Sequence, residues 1–302
     1  LAANSRKKKK LIQAMKAKQL LKLAVLINIA TSFHFPTSSD LRVQCLQLAS
    51  EKNRGQSPTN LCVLIPAYNE QDRIVPTLKT YNSYLTEHSD RWNVTIVVVD
   101  DGSVDTTAKI VRNFAEASYC PTVCLSRPSN NGKGAALAAG IEFCVRNLDK
   151  RLILTADADG SADVQCLDQL FEVMKTLIDD WSQPAVVCGY RTYSETATGR
   201  LIFRWGFRTT VRLFCGNIGC RDTQCGFKLL TIAAAKPLYN NLHLPGWSHD
   251  VEVLYRAKLL GIPVGEAPVR WQDKDGSKLT AEGILRVASR MFFDVCECSL
   301  SY

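Results

Sequence analysis

The chain has 302 residues and a formal net charge of +8 at pH 7. Apolar residues make up 46% of it and charged residues 22%, a composition typical of folded proteins, which excludes disorder across the whole chain. No run of about 20 apolar residues occurs, which excludes a polytopic membrane protein.

The N-terminal segment, residues 1–58, is basic and polar. Positive charge is concentrated in Arg6 and Lys7–Lys10, which suggests an anionic surface of lipid head groups or nucleic acid. The apolar stretch Leu23–Phe33 is too short to cross a bilayer of about 30 Å as a helix. Three interpretations of it stay open: the remnant of a signal anchor, a helix in the head-group layer, or a helix packed on the protein. Residues 36–60 are rich in turn formers, as in a linker.

From Leu61 onward, strand and helix patterns alternate along the chain. Short apolar runs bounded by turn residues predict buried strands at Leu61–Ile65, Val94–Val99, Thr122–Leu125, Arg151–Thr155 and Ala185–Cys188. Helical patterns lie between them at 71–87, Asp105–Ala117, Gly134–Val145 and Val164–Ile178. This order predicts βαβ units, and therefore an α/β fold with a mostly parallel sheet flanked by helices.

After Gly189 the alternation stops, and we expect a mainly helical second part. Helical patterns are found at Ile232–Tyr239 and Val251–Leu260, with an extended stretch at Pro263–Val269 and an amphipathic C-terminal helix over 281–302. Basic and aromatic residues alternate in this part, which suggests either a solvated basic face or a surface for an amphiphilic anion. The basic residues concerned are Arg191, Arg200, Arg204, Arg208, Arg212, Arg221 and Lys228.

Acidic residues follow three of the predicted strands. Asn69-Glu70 follows the first strand, Asp100-Asp101 the second, and Asp157 with Asp159 the fourth. Ligands of open α/β sheets bind beyond the carboxyl ends of the strands, so we expect these residues to converge there. The alternative is that each acidic residue only caps the following helix, which would explain one per turn but not the doubled carboxylates.

The sharpest of these patterns is the acidic pair Asp157 and Asp159. Side chains two residues apart in an extended segment share a face, and two neighbouring carboxylates repel unless a cation or proton lies between them. Mg²⁺ binds one or two carboxylates and completes its shell with water and substrate phosphates. The pair therefore indicates a substrate that contains a diphosphate.

Other nucleotide-binding fingerprints are missing from the sequence. No GxGxxG and no GxxxxGK[ST] occurs, which argues against dinucleotide redox chemistry and ATP hydrolysis. The turn Asn131–Gly134 (NGKG) precedes a predicted helix. It is either a plain glycine turn or a helix N-terminus that attracts an anion.

Four motifs of the first part are IPAYNE (Ile65–Glu70), VVVDDGS (Val97–Ser103), NNGKGAAL (Asn130–Leu137) and ADADG (Ala156–Gly160). Together they resemble family 2 glycosyltransferases with the GT-A fold. Three later motifs are RDTQCGFKLL (Arg221–Leu230), WSHDVEVLYRA (Trp247–Ala257) and GSKL (Gly276–Leu279). Within that family they resemble the dolichyl-phosphate β-glucosyltransferase group. The resemblance covers about residues 61–280 and implies a GT-A domain at 59–280.

The resemblance also implies roles for individual residues. Those implied to hold the nucleoside are Pro66, Tyr68, Glu70, Val99 and Asp101. Those implied to line the diphosphate and a divalent metal are Asp157, Ala158 and Asp159. Ser161 completes the implied metal set, at a place where mannose-transferring relatives carry a Gln. Those implied to lie beside the donor and acceptor phosphates are Arg191, Arg200 and Lys278.

The implied activity is transfer of glucose from UDP-glucose to dolichyl phosphate with inversion, using Mg²⁺ or Mn²⁺. The product, dolichyl β-D-glucosyl phosphate, would serve N-glycan precursor assembly. The expected partners are UDP-glucose, dolichyl phosphate and a membrane surface, without nucleic acid. Two alternatives stay open: a dolichyl-phosphate mannosyltransferase that uses GDP-mannose, and a non-catalytic basic protein that binds lipid or RNA.

The cysteines bear on the compartment. Twelve of them are scattered along the chain without the paired spacing of a zinc site, which favours free thiols in a reducing compartment. The basic N-terminal flank points to the cytosolic side of a membrane. We therefore expect the endoplasmic reticulum membrane, with the catalytic domain facing the cytosol.

Overall fold

The computed structural model describes residues 58–192 and 207–272 and, near the C-terminus, 290, 293–295, 297–298 and 302. Within these residues a seven-stranded sheet carries helices on both faces, which confirms the predicted α/β fold with a mostly parallel sheet. The N-terminal segment 1–57, Arg200, Lys278 and most of the expected C-terminal helix lie outside the described residues.

The strands of the sheet are close to those that the apolar runs predict. They are β1 (Thr59–Ala67), β2 (Trp92–Asp100), β3 (Thr122–Ser126), β4 (Leu152–Thr155), β5 (Val186–Thr192), β6 (Lys228–Thr231) and β7 (Val264–Arg270). Their order across the sheet is β3-β2-β1-β4-β6-β5-β7. Strands β1 to β4 are parallel to their neighbours in that group, and β5 is parallel to β7.

The helices follow the strands in the predicted places. They are α1 (Ile74–Glu87), α2 (Thr107–Ala117), α3 (Lys133–Asn147), α4 (Leu167–Leu177), α5 (Ile232–Tyr239) and α6 (His249–Leu259), and residues 207–214 are also helical. The expected helix over 164–178 begins instead with a 3₁₀ turn at Val164–Cys166, because the Asp163 carboxylate accepts a hydrogen bond from the Gln165 amide.

The core lies on both faces of the sheet because neighbouring side chains of a strand point to opposite faces. In β1, Val63 packs on the same side as Ile74 of α1, whereas Leu64 packs on the side of Leu137 of α3. A parallel sheet covered on both faces is apolar at every position, which explains why its strands appear in the sequence as unbroken hydrophobic runs.

Strand β6 corrects the expectation of a mainly helical part after Gly189. Residues Lys228–Thr231 form a strand antiparallel to both β4 and β5 and lie in the middle of the sheet. Its first residue, Lys228, is fully buried, so the proposal of a solvated or anion-binding basic face is wrong for this lysine.

Two further expectations concern membrane spans and cysteines. Among the described residues, none of the helices combines the length and the apolar character that a membrane crossing requires. The cysteines that the structure describes are free thiols, as predicted.

Candidate functional site

The loops that follow β1, β2 and β4 meet at one edge of the sheet. The amide of Asp101 donates to the carbonyl of Ala67 at 2.8 Å, which joins the ends of β1 and β2. The Thr77 hydroxyl of α1 donates to the carbonyl of Ala158 at 2.9 Å, which joins α1 to the acidic loop after β4. The structure therefore brings the three acidic clusters together, as expected from their positions after parallel strands.

The buried carboxylate of Asp101 is held by the turn that precedes α3. It accepts hydrogen bonds from the amides of Asn131 at 3.1 Å and Gly132 at 2.8 Å, and from the guanidinium of Arg127. Gly132 has a φ of 99°, a conformation that suits glycine. The anion attracted by this helix N-terminus is thus a carboxylate of the protein, which fixes the predicted nucleoside-binding residue in place.

Asp157, the first carboxylate of the acidic pair, is bound by the first residue of α3, Lys133. The Lys133 Nζ atom lies 2.5 Å from Asp157 Oδ1. Burial by itself would lower the pKa of Lys133, but Asp157 and then Asp250 raise that pKa above its ordinary value, so the ammonium stays charged. A Cβ at Gly226 would lie 2.5 Å from Asp157 Oδ1, so a larger residue there would displace this carboxylate.

Asp159, the second carboxylate, is oriented by backbone and by an arginine. Its Oδ1 atom accepts from the amide of Ser161 at 3.0 Å, and its Oδ2 atom lies 4.0 Å from Arg73 Nη1. The same arginine donates twice to the Glu70 carboxylate, at 2.7 Å each. Glu70 and Asp159 therefore share one cation between the loops after β1 and β4.

The acidic pair fits a hard divalent cation. Asp157 and Asp159 are both partly exposed and offer carboxylate oxygens, the donors that Mg²⁺ and Mn²⁺ prefer. Ser161 contacts this pair through its backbone amide, which donates to Asp159 Oδ1 and orients that carboxylate.

The other predicted nucleoside residues lie around the same edge. Pro66 and Val99 are register partners in the β1–β2 pair, one residue before Ala67 and Asp100. The Val99 side chain is fully buried in the core, whereas Tyr68 is half exposed. A nucleoside would accordingly meet the backbone of Val99 and the side chain of Tyr68.

Arg191, at the end of β5, is held by Asp222. The carboxylate accepts from the Arg191 amide at 3.1 Å, from Nε at 2.7 Å and from Nη2 at 2.8 Å. The guanidinium also lies 5.3 Å from the ring centroid of Trp271. Such a bidentate pair fixes the plane of an arginine, which suits it to bind a phosphate in one orientation.

Behind the acidic pair lies a buried network that the sequence analysis missed. The Lys228 ammonium is bound to the Asp250 carboxylate and to the carbonyls of Thr223 at 3.2 Å and Cys225 at 2.5 Å. Burial would lower the pKa of Lys228 and Asp250 raises it, so the net shift is upward. The neighbouring His249 has its pKa lowered, mainly by burial.

Two residues near the site, Lys133 and Trp247, were not predicted from the sequence to be site residues. Lys133 stood in the sequence only as part of a turn, and the signal for it was its place between two glycines before a helix. Trp247 is the first residue of the motif WSHDVEVLYRA, but no role was predicted for it. Its indole is exposed, and Lys133 Nζ lies 5.6 Å from its ring centroid.

The sequence matches one family over most of the sheet. Residues 62–236 match the model of glycosyl transferase family 2. The chain is 37% identical over 234 residues to a dolichyl-phosphate beta-glucosyltransferase of Mus musculus, covering 74% of this chain and 71% of that protein. It is 35% identical over 230 residues to a dolichyl-phosphate beta-glucosyltransferase of Dictyostelium discoideum, covering 72% and 68%.

The fold matches solved structures at low sequence identity. Glucosyl-3-phosphoglycerate synthase from Mycobacterium tuberculosis, crystallised with Mn²⁺, uridine-diphosphate-glucose and phosphoglyceric acid, aligns with a TM-score of 0.52 and 16% identity. The alignment covers 83% of this chain and 81% of that one. At this identity the likeness concerns the fold, and it confirms the predicted GT-A class.

Proposed function

The chain belongs to the dolichyl-phosphate β-glucosyltransferases of glycosyl transferase family 2, and we propose that it moves glucose from UDP-glucose to dolichyl phosphate with inversion. The observation that carries this proposal is the convergence of Asp101, Asp157 and Asp159 at one edge of the sheet. That edge lies within the residues that match the family.

The nucleoside of the donor is proposed to bind at the joined ends of β1 and β2. Asp101 is buried and already oriented by three donors, so it can accept a hydrogen bond from a base without reorganisation. Pro66 and Val99 pair at the joined ends of β1 and β2, and Tyr68 and Glu70 follow β1. These four residues would complete the pocket.

The diphosphate is proposed to bind at the acidic pair through a divalent cation. Asp157 and Asp159 would hold Mg²⁺ or Mn²⁺, with the Ser161 amide orienting the second carboxylate and Ala158 between the two. When bound, such an ion stabilises the negative charge that develops on the leaving UDP. Lys133, fixed on Asp157, adds a positive charge at the same place.

The acceptor needs little help from a general base. The second pKa of a phosphate monoester is about 6, so at neutral pH its oxygen is mostly ionised. The protein then has to position the phosphate for in-line attack on the anomeric carbon. Arg191, held in plane by Asp222, is proposed for this role together with Arg200 and Lys278, which the resemblance assigns.

We also propose that the protein works at the endoplasmic reticulum membrane with this domain facing the cytosol. The lipid acceptor requires access to a membrane surface. The basic block of Arg6 and Lys7–Lys10 suits an anionic surface, and free thiols suit a reducing compartment.

A direct assay tests the proposed reaction. Purified full-length protein is incubated with dolichyl phosphate, Mg²⁺ or Mn²⁺, and labelled UDP-glucose or GDP-mannose in parallel. We expect a labelled glucosyl lipid of β configuration. A mannosyl lipid alone would move the protein to the mannose-transferring relatives, and no lipid product from either donor would reject the proposal.

A variant separates an enzyme from a lipid-binding protein without activity. Asp159→Ala should remove turnover and leave binding to vesicles that contain dolichyl phosphate unchanged. Wild-type protein that binds these vesicles but makes no product would support the non-catalytic alternative.

A further inference from the structure

Trp247 is a large exposed aromatic residue beside the acidic edge. Its exposed fraction is 56%, although it precedes the buried residues Ser248, His249 and Asp250. The exposed indole offers a large, flat apolar surface with a polar N–H edge, to which a ligand bound at the acidic edge has access.

The loop that carries Trp247 packs against the start of α3 and the turn before it. The Ala135 amide donates to the carbonyl of Pro245 at 3.0 Å, and His249 Nδ1 lies 2.8 Å from the carbonyl of Gly246. A Cβ on Gly132 would lie 2.7 Å from the same Pro245 oxygen, so the two loops are in close contact. The indole therefore projects from a constrained backbone.

The Lys133 side chain lies between the indole of Trp247 and Asp157 of the acidic pair. Lys133 Nζ is 5.6 Å from the ring centroid of Trp247 and 2.5 Å from Asp157 Oδ1. A donor whose diphosphate binds at Asp157 and Asp159 would therefore lie on the side of the site where Lys133 separates Asp157 from the indole.

This inference rests on the proposed function. We propose that Trp247 binds the sugar of the donor, with its indole packed against C–H groups of the glucose of UDP-glucose. In glucose the ring hydroxyls are equatorial, so both faces of the ring present C–H groups.

The environment of the indole favours a sugar over the isoprenoid chain of the acceptor. The Lys133 ammonium lies beside the ring, 5.6 Å from its centroid. A hydrocarbon chain laid on the indole would remove water from that ammonium without giving it a new partner, which is unfavourable. A sugar covers the ring with C–H groups and offers hydroxyl oxygens to the lysine.

Titration calorimetry with full-length protein and Mn²⁺ tests the proposal, using UDP and UDP-glucose as probes for wild type, Trp247→Ala and Trp247→Phe. We expect the Kd of UDP to stay within about twofold, and the Kd of UDP-glucose to rise about tenfold or more in Trp247→Ala, within the range for one lost apolar contact. Trp247→Phe should recover part of the loss.

Tyr119→Ala is the matched control, because Tyr119 is an exposed aromatic before β3, at the opposite end of the parallel strands. It should leave all of these constants unchanged. If the Kd values of UDP and UDP-glucose rose equally in Trp247→Ala, the indole would have a structural role and the proposal would be overturned. Unchanged donor constants with a raised KM for dolichyl phosphate would assign the indole to the lipid and also overturn it.

The two proposals fail in different ways. Wild-type protein that forms no glucosyl lipid rejects the proposed function. Active wild type with an unaffected Trp247→Ala rejects only the role of the indole.

Discussion

Lys133 Nζ lies 2.5 Å from Asp157 Oδ1, so a cation at the first residue of α3 neutralises the first carboxylate of the acidic pair. Asp159 has a weaker counter-charge, since Arg73 Nη1 is 4.0 Å from its Oδ2 atom and is shared with Glu70. The two carboxylates therefore differ electrostatically, although the sequence presents them as equivalent.

Removing the charge of Lys133 should strengthen the binding of the metal alone. In Lys133→Met the carboxylate of Asp157 loses its ion pair, and the repulsion between the two aspartates is relieved best by a divalent ion. We expect the Kd of Mn²⁺ without nucleotide to fall about tenfold, equivalent to about 1.4 kcal/mol. Turnover should fall, because the lysine no longer supports the diphosphate. Calorimetry and initial rates measure the two effects.

The control for this change is Lys109→Met, which alters an exposed lysine of α2. Lys109→Met should change neither the Kd of Mn²⁺ nor the turnover rate. Unchanged or weaker Mn²⁺ binding in Lys133→Met would contradict the view that Lys133 competes with the metal for Asp157.

Asp222 should act on the acceptor through Arg191. In Asp222→Asn the guanidinium loses its two short contacts to a carboxylate and is no longer held in one plane. We expect the KM for dolichyl phosphate to rise about tenfold, the effect of roughly one charge-assisted hydrogen bond. The KM for UDP-glucose should change less. Steady-state kinetics with each substrate varied in turn gives both constants.

Glu142→Gln is the matched control for Asp222→Asn, because Glu142 pairs with Arg146 on the exposed surface of α3. It should leave both KM values unchanged. An equal rise of both KM values in Asp222→Asn would point to a general distortion of the site instead.

The buried pair of Lys228 and Asp250 should dominate the stability of the second part of the sheet. Their side chains are 1% and 5% exposed. Lys228→Met leaves a buried carboxylate without its main partner, and we expect the free energy of unfolding to fall by about 3–5 kcal/mol. Adding Asp250→Asn removes the unpaired charge and should restore a large part of the loss. Urea denaturation of the single and double variants measures the coupling.

A double variant no more stable than Lys228→Met would show that the cost of the single change lies in packing and not in charge. Activity is not the readout here, because Asp250 also lies close enough to Lys133 to raise its pKa.

These contacts show how far the sequence predicts the molecule. The strands were predictable because a sheet covered on both faces requires a continuous apolar run, as in Val94–Val99. Strand β6 was not predictable, because its first residue is Lys228. The burial of this lysine depends on Asp250, 22 positions further along the chain. The convergence of the acidic clusters followed from their place after parallel strands. The pairing of Lys133 with Asp157 did not, since no local pattern links residues 24 positions apart.

His249 should make stability depend on pH below neutrality. It is fully buried, its Nε2 atom lies 3.4 Å from Asp250 Oδ1, and burial lowers its pKa although Asp250 opposes the shift. As pH falls below about 6.5, the ordinary value, the unfolded chain binds a proton that the folded chain does not. The free energy of unfolding should therefore decrease with falling pH, by up to about 1.4 kcal/mol per pH unit. In His249→Gln this contribution disappears, so urea denaturation between pH 7.5 and 5.5 should show a smaller slope than in wild type. His88→Gln, at the end of α1, is the control and should keep the wild-type slope. An unchanged slope in His249→Gln would show that the buried imidazole does not resist protonation.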